Sequence, residues 1–185
     1  MGKALSVLAM IATLLAPSAQ ERTATLLHIK AAFLYKFAIY IEWPEKAFSN
    51  PEAPLVIGVL GSEPFARSVE EGVVGKSVRG RSFKVRRYSW PQDISADTHI
   101  LYIDRDALTT DAAATLTAVH KRAPYAFVVS DGADAAEAGA TLAFVIKQDK
   151  LGFHINLDQA KEAGVKISSK LLRLATIVES GETAP

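Results

Sequence analysis

The sequence predicts a single α/β domain: a mostly parallel, Rossmann-like sheet with helices on both faces and a C-terminal antiparallel hairpin. Three observations predict it. Short apolar runs alternate with helix-patterned segments through the middle of the chain, as strand–helix–strand units require. The 185 residues suffice for one sizeable core but not comfortably for two. Near the C-terminus, Thr141 to Lys147 and Gly152 to Asn156 are separated by Gln148-Asp149-Lys150, which reads as a hairpin.

Taken in order, the chain opens with a positive start, Met1-Gly2-Lys3. An apolar run from Ala4 to Ala16 follows, interrupted by Ser6 and Thr13, and then small residues at Ala16, Ser18 and Ala19. That layout predicts a cleavable secretory signal peptide over 1–19, a domain over 20–185 and export. The rival reading is a membrane anchor. The apolar run spans roughly 20 Å as a helix, short of the ~30 Å hydrocarbon core.

Thr25 to Trp43 has a helix pattern that Pro44 should end. On that helix His28, Lys36 and Glu42 share one solvent stripe, whereas Lys30 projects from the opposite, apolar side. Leu55 to Leu60 reads as a strand buried on both faces. Gly61-Ser62-Glu63-Pro64 turns into a helix through about Glu71, with Ser62 placed as N-cap. Phe83 to Tyr88 alternates apolar and basic residues and should be a half-exposed strand. His99 to Ile103 and Tyr125 to Ser130 are further strands, flanking a helix from Thr110 to Arg122. Asp131-Gly132 marks a turn before a short helix, Ala133 to Ala138. After the hairpin, helices are expected over Asp158 to Ala163 and Ser168 to Val178. Trp43 and Trp90, each before a proline, read as packing residues at element ends.

Composition excludes several functions. With no cysteine, thiol catalysis, Cys-based zinc sites and disulfides are impossible. A net charge of +1 provides no global field for nucleic acid. Gly75-Lys76-Ser77 is not a phosphate loop, because Glu70 stands where the first glycine belongs and the tripeptide follows a helix. The four histidines, His28, His99, His120 and His154, show no metal-ligand spacing. Ser168-Ser169-Lys170 is not an SxxK arrangement, and no GxSxG elbow occurs. No catalytic residue, metal or cofactor is implied.

Ligands of open α/β sheets lie beyond the carboxyl ends of the strands. Those ends here carry Ser62, Asp104 with Arg105, and Ser130 with Asp131. Of these, Ser62, Asp104, Ser130 and Asp131, with Lys30 and the strand histidine His154, form the candidate ligand-binding set. The plainer alternative makes Ser62 a helix cap, Asp131 a turn residue, His154 a hydrogen-bonded core or surface histidine and Lys30 a snorkelling or ion-paired structural lysine.

One ordered set of segments goes further. Ile29-Lys30-Ala31-Ala32-Phe33-Leu34-Tyr35, Phe37-Ala38 and Glu42-Trp43-Pro44 come first, then Val59-Leu60-Gly61 and Pro64-Phe65. Gly80-Arg81, His99 to Ile103, Ser130-Asp131, Phe153 to Leu157 and Lys166-Ile167-Ser168-Ser169-Lys170-Leu171-Leu172 complete it. Together they resemble the YfiR family of periplasmic proteins from about His28 to Val178. The resemblance implies a regulator that is not an enzyme, repressing a membrane-bound diguanylate cyclase and hence cyclic di-GMP signalling. Its partner would be the periplasmic sensor region of an inner-membrane cyclase or of a sensor kinase. Without cysteines, release would depend on a small-molecule effector or another protein. Apolar anchors for such a partner, or for a homodimer, are expected on the first helix at Phe33, Phe37 and Tyr40. The alternatives are a periplasmic small-molecule carrier and an exported hydrolase.

Overall fold

The computed structural model describes residues 19–108, 111–148 and 150–179. The expected signal peptide falls outside these residues except for Ala19, as does Asp149 of the hairpin turn.

Helix α1, Ala19–Tyr40, leads into a two-residue strand β1, Ile41–Glu42. Strand β2, Leu55–Leu60, helix α2, Glu63–Val73, short β3, Ser77–Val78, and β4, Arg81–Tyr88, follow. Then come β5, Ile100–Ile103, α3, Ala112–Arg122, β6, Phe127–Asp131, and α4, Ala133–Glu137. The hairpin is β7, Leu142–Lys147, with β8, Lys150–Asn156. Finally come α5, Leu157–Glu162, β9, Lys166–Ile167, α6, Ser169–Leu172, and β10, Thr176–Val178.

Eight strands form the main sheet in the order β10-β8-β7-β6-β5-β2-β4-β3. The five from β4 to β7 run parallel, and β8 returns antiparallel to β7. One face carries α1 and α2, packed through Leu34, Phe37, Phe65 and Val69 onto Ile57, Tyr102, Phe127 and Phe144. The other carries α3 and α4, packed through Leu116, Val119 and Ala136 onto Leu101, Ile103 and Val128. The fold is thus the α/β layering the alternation predicts.

Three expectations are corrected. The first helix ends at Tyr40 rather than Trp43, because Ile41 and Glu42 pair in register with Ile167 and Lys166. Helix over Ser168 to Val178 shrinks to one turn. Beyond it the β-branched run Thr176-Ile177-Val178 leaves the helix to extend the sheet, parallel to β8. Trp90 stands at the start of the 3-10 turn Pro91–Asp93 but is 63 % exposed rather than packed, whereas the half-buried indole N–H of Trp43 donates to the carbonyls of His99 and Tyr125 at 3.2 and 3.1 Å.

Candidate functional site

The chain crosses the sheet from β4 to β5, on opposite sides of β2, so the topological switch lies between the carboxyl ends of β2 and β5. There Asp104 N–H donates to the Leu60 carbonyl at 2.8 Å. A Cβ on Gly61 would sit 2.5 Å from that of Asp104, so only glycine lets the two strand ends close this tightly. One strand further on, β6 delivers Ser130 and Asp131.

Asp131 is the hub. Its side chain shares a sheet face with its cross-strand neighbour Phe144, beneath α1. Lys30 reaches it from α1 with Nζ 2.6 Å from Oδ1, the two side chains 11 % and 21 % exposed. The Tyr102 hydroxyl donates to Oδ2 at 2.5 Å. The same ammonium lies 5.9 Å from the Phe144 ring centroid. Burial, then the charge and hydrogen bond of Asp131, push the Tyr102 phenol far above its usual pKa, so it stays a donor. Lys30 therefore projects from the apolar side of its helix toward a carboxylate built into the sheet.

The remaining candidates are not all drawn to this cluster. Ser130, Ala143 and His154 are cross-strand neighbours, which places them on the opposite face from Asp131, Phe144 and Phe153. Buried Ser130 donates its hydroxyl to the Ile103 carbonyl at 2.8 Å. His154 is half-buried, and no hydrogen bond reaches its Nδ1. Ser62 occupies the N-cap position of α2 in extended conformation, exposed and without a side-chain capping bond. Asp104 accepts from the Asp106 N–H and starts a short 3-10 turn. The expected anchors are corrected for Phe37, which is 1 % exposed and packs against Phe33, Phe127, Phe144 and Phe153. Phe33 and Tyr40 are half-buried against the same core, and the large apolar residues of α1 that are exposed are Ile29 and Ile39.

Two features escape a reading of residue types alone. Tyr102 looks like any apolar strand residue, and its hydroxyl has a role only once β5 and β6 are neighbours. Arg105 grips Asp134 through two bonds of 2.7 and 2.8 Å and touches the Asp131 carbonyl, closing over the Asp131-Gly132 turn. Gly132 has φ +90°, and a side chain there would run into the Arg105 guanidinium.

Asp131 Oδ2 accepts from the Tyr102 hydroxyl, whereas buried Oδ1 is ion-paired with Lys30 and takes no hydrogen bond of good geometry. Among the described residues no group of His, Asp and Glu could hold a metal ion, and no helix is long and apolar enough to cross a membrane.

No curated protein matches the chain. Among solved structures it is similar to an ABC domain in complex with L-Trp from Streptococcus pneumonia, at 15 % identity and TM-score 0.47 over 67 % of this chain and 55 % of that one. It is also similar to a conserved domain protein from Vibrio cholerae, at 14 % identity and TM-score 0.48 over 66 % and 54 %. The chain thus spans about half the length of these structures. The family model described as DUF4154, YfiR/HmsC-like, matches residues 27–176, from within α1 to the first residue of β10, and the chain belongs to that family.

Proposed function

We propose that this protein is a periplasmic regulator that represses a membrane-bound diguanylate cyclase by binding its periplasmic sensor region. Membership of the YfiR/HmsC-like family over 27–176 is the observation that carries the reading. That family is one of regulators, linked in general to membrane diguanylate cyclases. The polar side chains at the carboxyl ends of the strands support it, because Lys30 pairs with Asp131, Tyr102 donates to Asp131 and Ser130 bonds within the sheet. The signal peptide read over 1–19 would deliver the domain to the sensor side of the cyclase.

A repressor shifts its target only as far as its affinities for the inactive and active states differ. Moving the balance from 1:99 to 99:1 takes about 5.5 kcal/mol of such difference. The test deletes this gene alone and measures cellular cyclic di-GMP. The level is expected to rise and to return to baseline with the exported protein, but not with a version lacking residues 1–19. An unchanged level, together with no membrane partner in periplasmic cross-linking, would favour a small-molecule carrier instead.

A further inference from the structure

Strand β4 has eight residues, but its outer neighbour β3 covers only Arg81 and Ser82. From Phe83 to Tyr88 the strand is paired on its β2 side, and among the described residues no strand pairs with it on the other. Alternate residues along this stretch turn their N–H and C=O groups outward, a ready template for another strand. Beside the edge, on the α2 face, lies an open groove of about 520 Å³, whose apolar lining is Val73, Val74, Phe83 and Val85. Val74 at its rim is 76 % exposed.

The charges of the edge choose the occupant. β4 carries Arg81, Lys84, Arg86 and Arg87 and no acid. Arg86 is held by Asp97, Arg87 by Glu70, and Arg81 by the carbonyls of Asn50 and Ala53. Exposed Lys84 has no such partner among the described residues, and it faces away from the groove because strand side chains alternate. A second copy pairing edge to edge would set basic residues against basic residues, which destabilises a strand pair. A strand with the opposite pattern fits instead. Its apolar side chains would enter the groove on one face, and its carboxylates would meet Lys84 on the other.

We infer that the open edge of β4 is a docking site for an extended segment of a partner protein, added as a further strand, in which apolar and acidic residues alternate. The inference stands whether or not that partner is the cyclase proposed above.

A photo-reactive residue placed at Val74 of the exported protein, in its native host, tests it. The conjugated partner peptide is sequenced by mass spectrometry in three backgrounds, with native Lys84, Lys84→Glu and Lys84→Arg. The expected peptide alternates apolar and acidic residues. Its yield should fall about fivefold in Lys84→Glu and stay within about twofold in Lys84→Arg, since one opposed charge pair contributes on that scale. Unchanged circular dichroism and melting temperature will show that Lys84→Glu, a surface change, leaves the fold intact. Conjugation to a second copy, conjugation to a segment without the alternation, a yield indifferent to Lys84→Glu, or no conjugate at all would overturn the proposal. If the peptide has the pattern but comes from a protein other than a cyclase, the docking site stands and the proposed cyclase partner does not.

Discussion

Lys30 belongs to α1 by sequence and to β6 by electrostatics. The pair it makes with Asp131 is mostly removed from water, so deleting one member strands the other. Lys30→Met should cost about 3 kcal/mol in urea unfolding, the lower end of the range for breaking a buried pair, because Tyr102 still donates to Asp131 and about a fifth of Asp131 remains wet. Adding Asp131→Asn to Lys30→Met should recover part of that loss, since no lone charge is left buried. His99 poses a different question at the same scale. It is 2 % exposed, stacks on Phe48 at 4.2 Å, and accepts the Val56 N–H on Nδ1, so its proton sits on Nε2. Burial, opposed by the Ala47 backbone, lowers its pKa from 6.5 to about 4. The unfolded chain therefore takes up a proton near pH 6.5 that the folded chain refuses until about pH 4. Stability should fall as pH drops through that window, by at most about 3 kcal/mol from this group. In His99→Asn, whose Oδ1 still accepts from Val56, the slope between pH 6.5 and 4 should flatten in denaturant titrations at stepped pH. The decline from pH 3.8 to about 2 should remain, because there the unfolded chain protonates Asp97 while the folded chain still holds it ionised against Arg86.

At the level of elements, what the sequence made legible depended on how much of each segment's fate was local. Leu55 to Leu60 and Ile100 to Ile103 are apolar on both faces and are central strands, as such runs predict. The stretch Ser168 to Val178 deceived because Lys170-Leu171-Leu172 does begin a helix, capped by the Ser168 hydroxyl. What draws Thr176 to Val178 into extended form is the exposed flank of β8, which is visible only in three dimensions. The pairing of β1 with β9 is hidden for the same reason, since two residues form no pattern. Asp131-Gly132 reads as a turn, yet Asp131 is the last residue of β6 and only Gly132 bends the chain, and the motif reveals nothing of the guanidinium packed over it. Gly132→Ala measures that hidden part. The strained φ of +90° and the forced displacement of Arg105 should together cost about 1–2 kcal/mol, read by thermal unfolding. If the φ alone mattered, Gly132→Ala in an Arg105→Ala background would cost just as much. The structure predicts that it costs less.

Across the whole molecule, the sequence disclosed the layering but not the depth of each surface. Apolar periodicity places Phe33 and Phe37 on a wide hydrophobic arc of α1, and breadth of arc suggested an outer face. The sheet beneath is broad enough to take both rings, with Phe144 and Phe153 meeting them from β7 and β8. The candidate ligand residues divided for a topological reason: a strand sends neighbours to opposite faces, so Ser130 and Asp131, adjacent in sequence, serve different layers. Lys30 could be singled out from helical geometry alone, whereas Asp131 as its partner required knowing which strand lies below. The clasp between the two ends of the chain extends this to the time axis. Ile41 meets Ile167, Glu42 meets Lys166, and the Tyr40 carbonyl takes the Ser168 N–H. A ribosome delivers these partners far apart in time, so α1 waits for much later residues to fasten its end. Until they emerge, the nascent polypeptide keeps the end of α1 unfastened and its apolar face open to a chaperone.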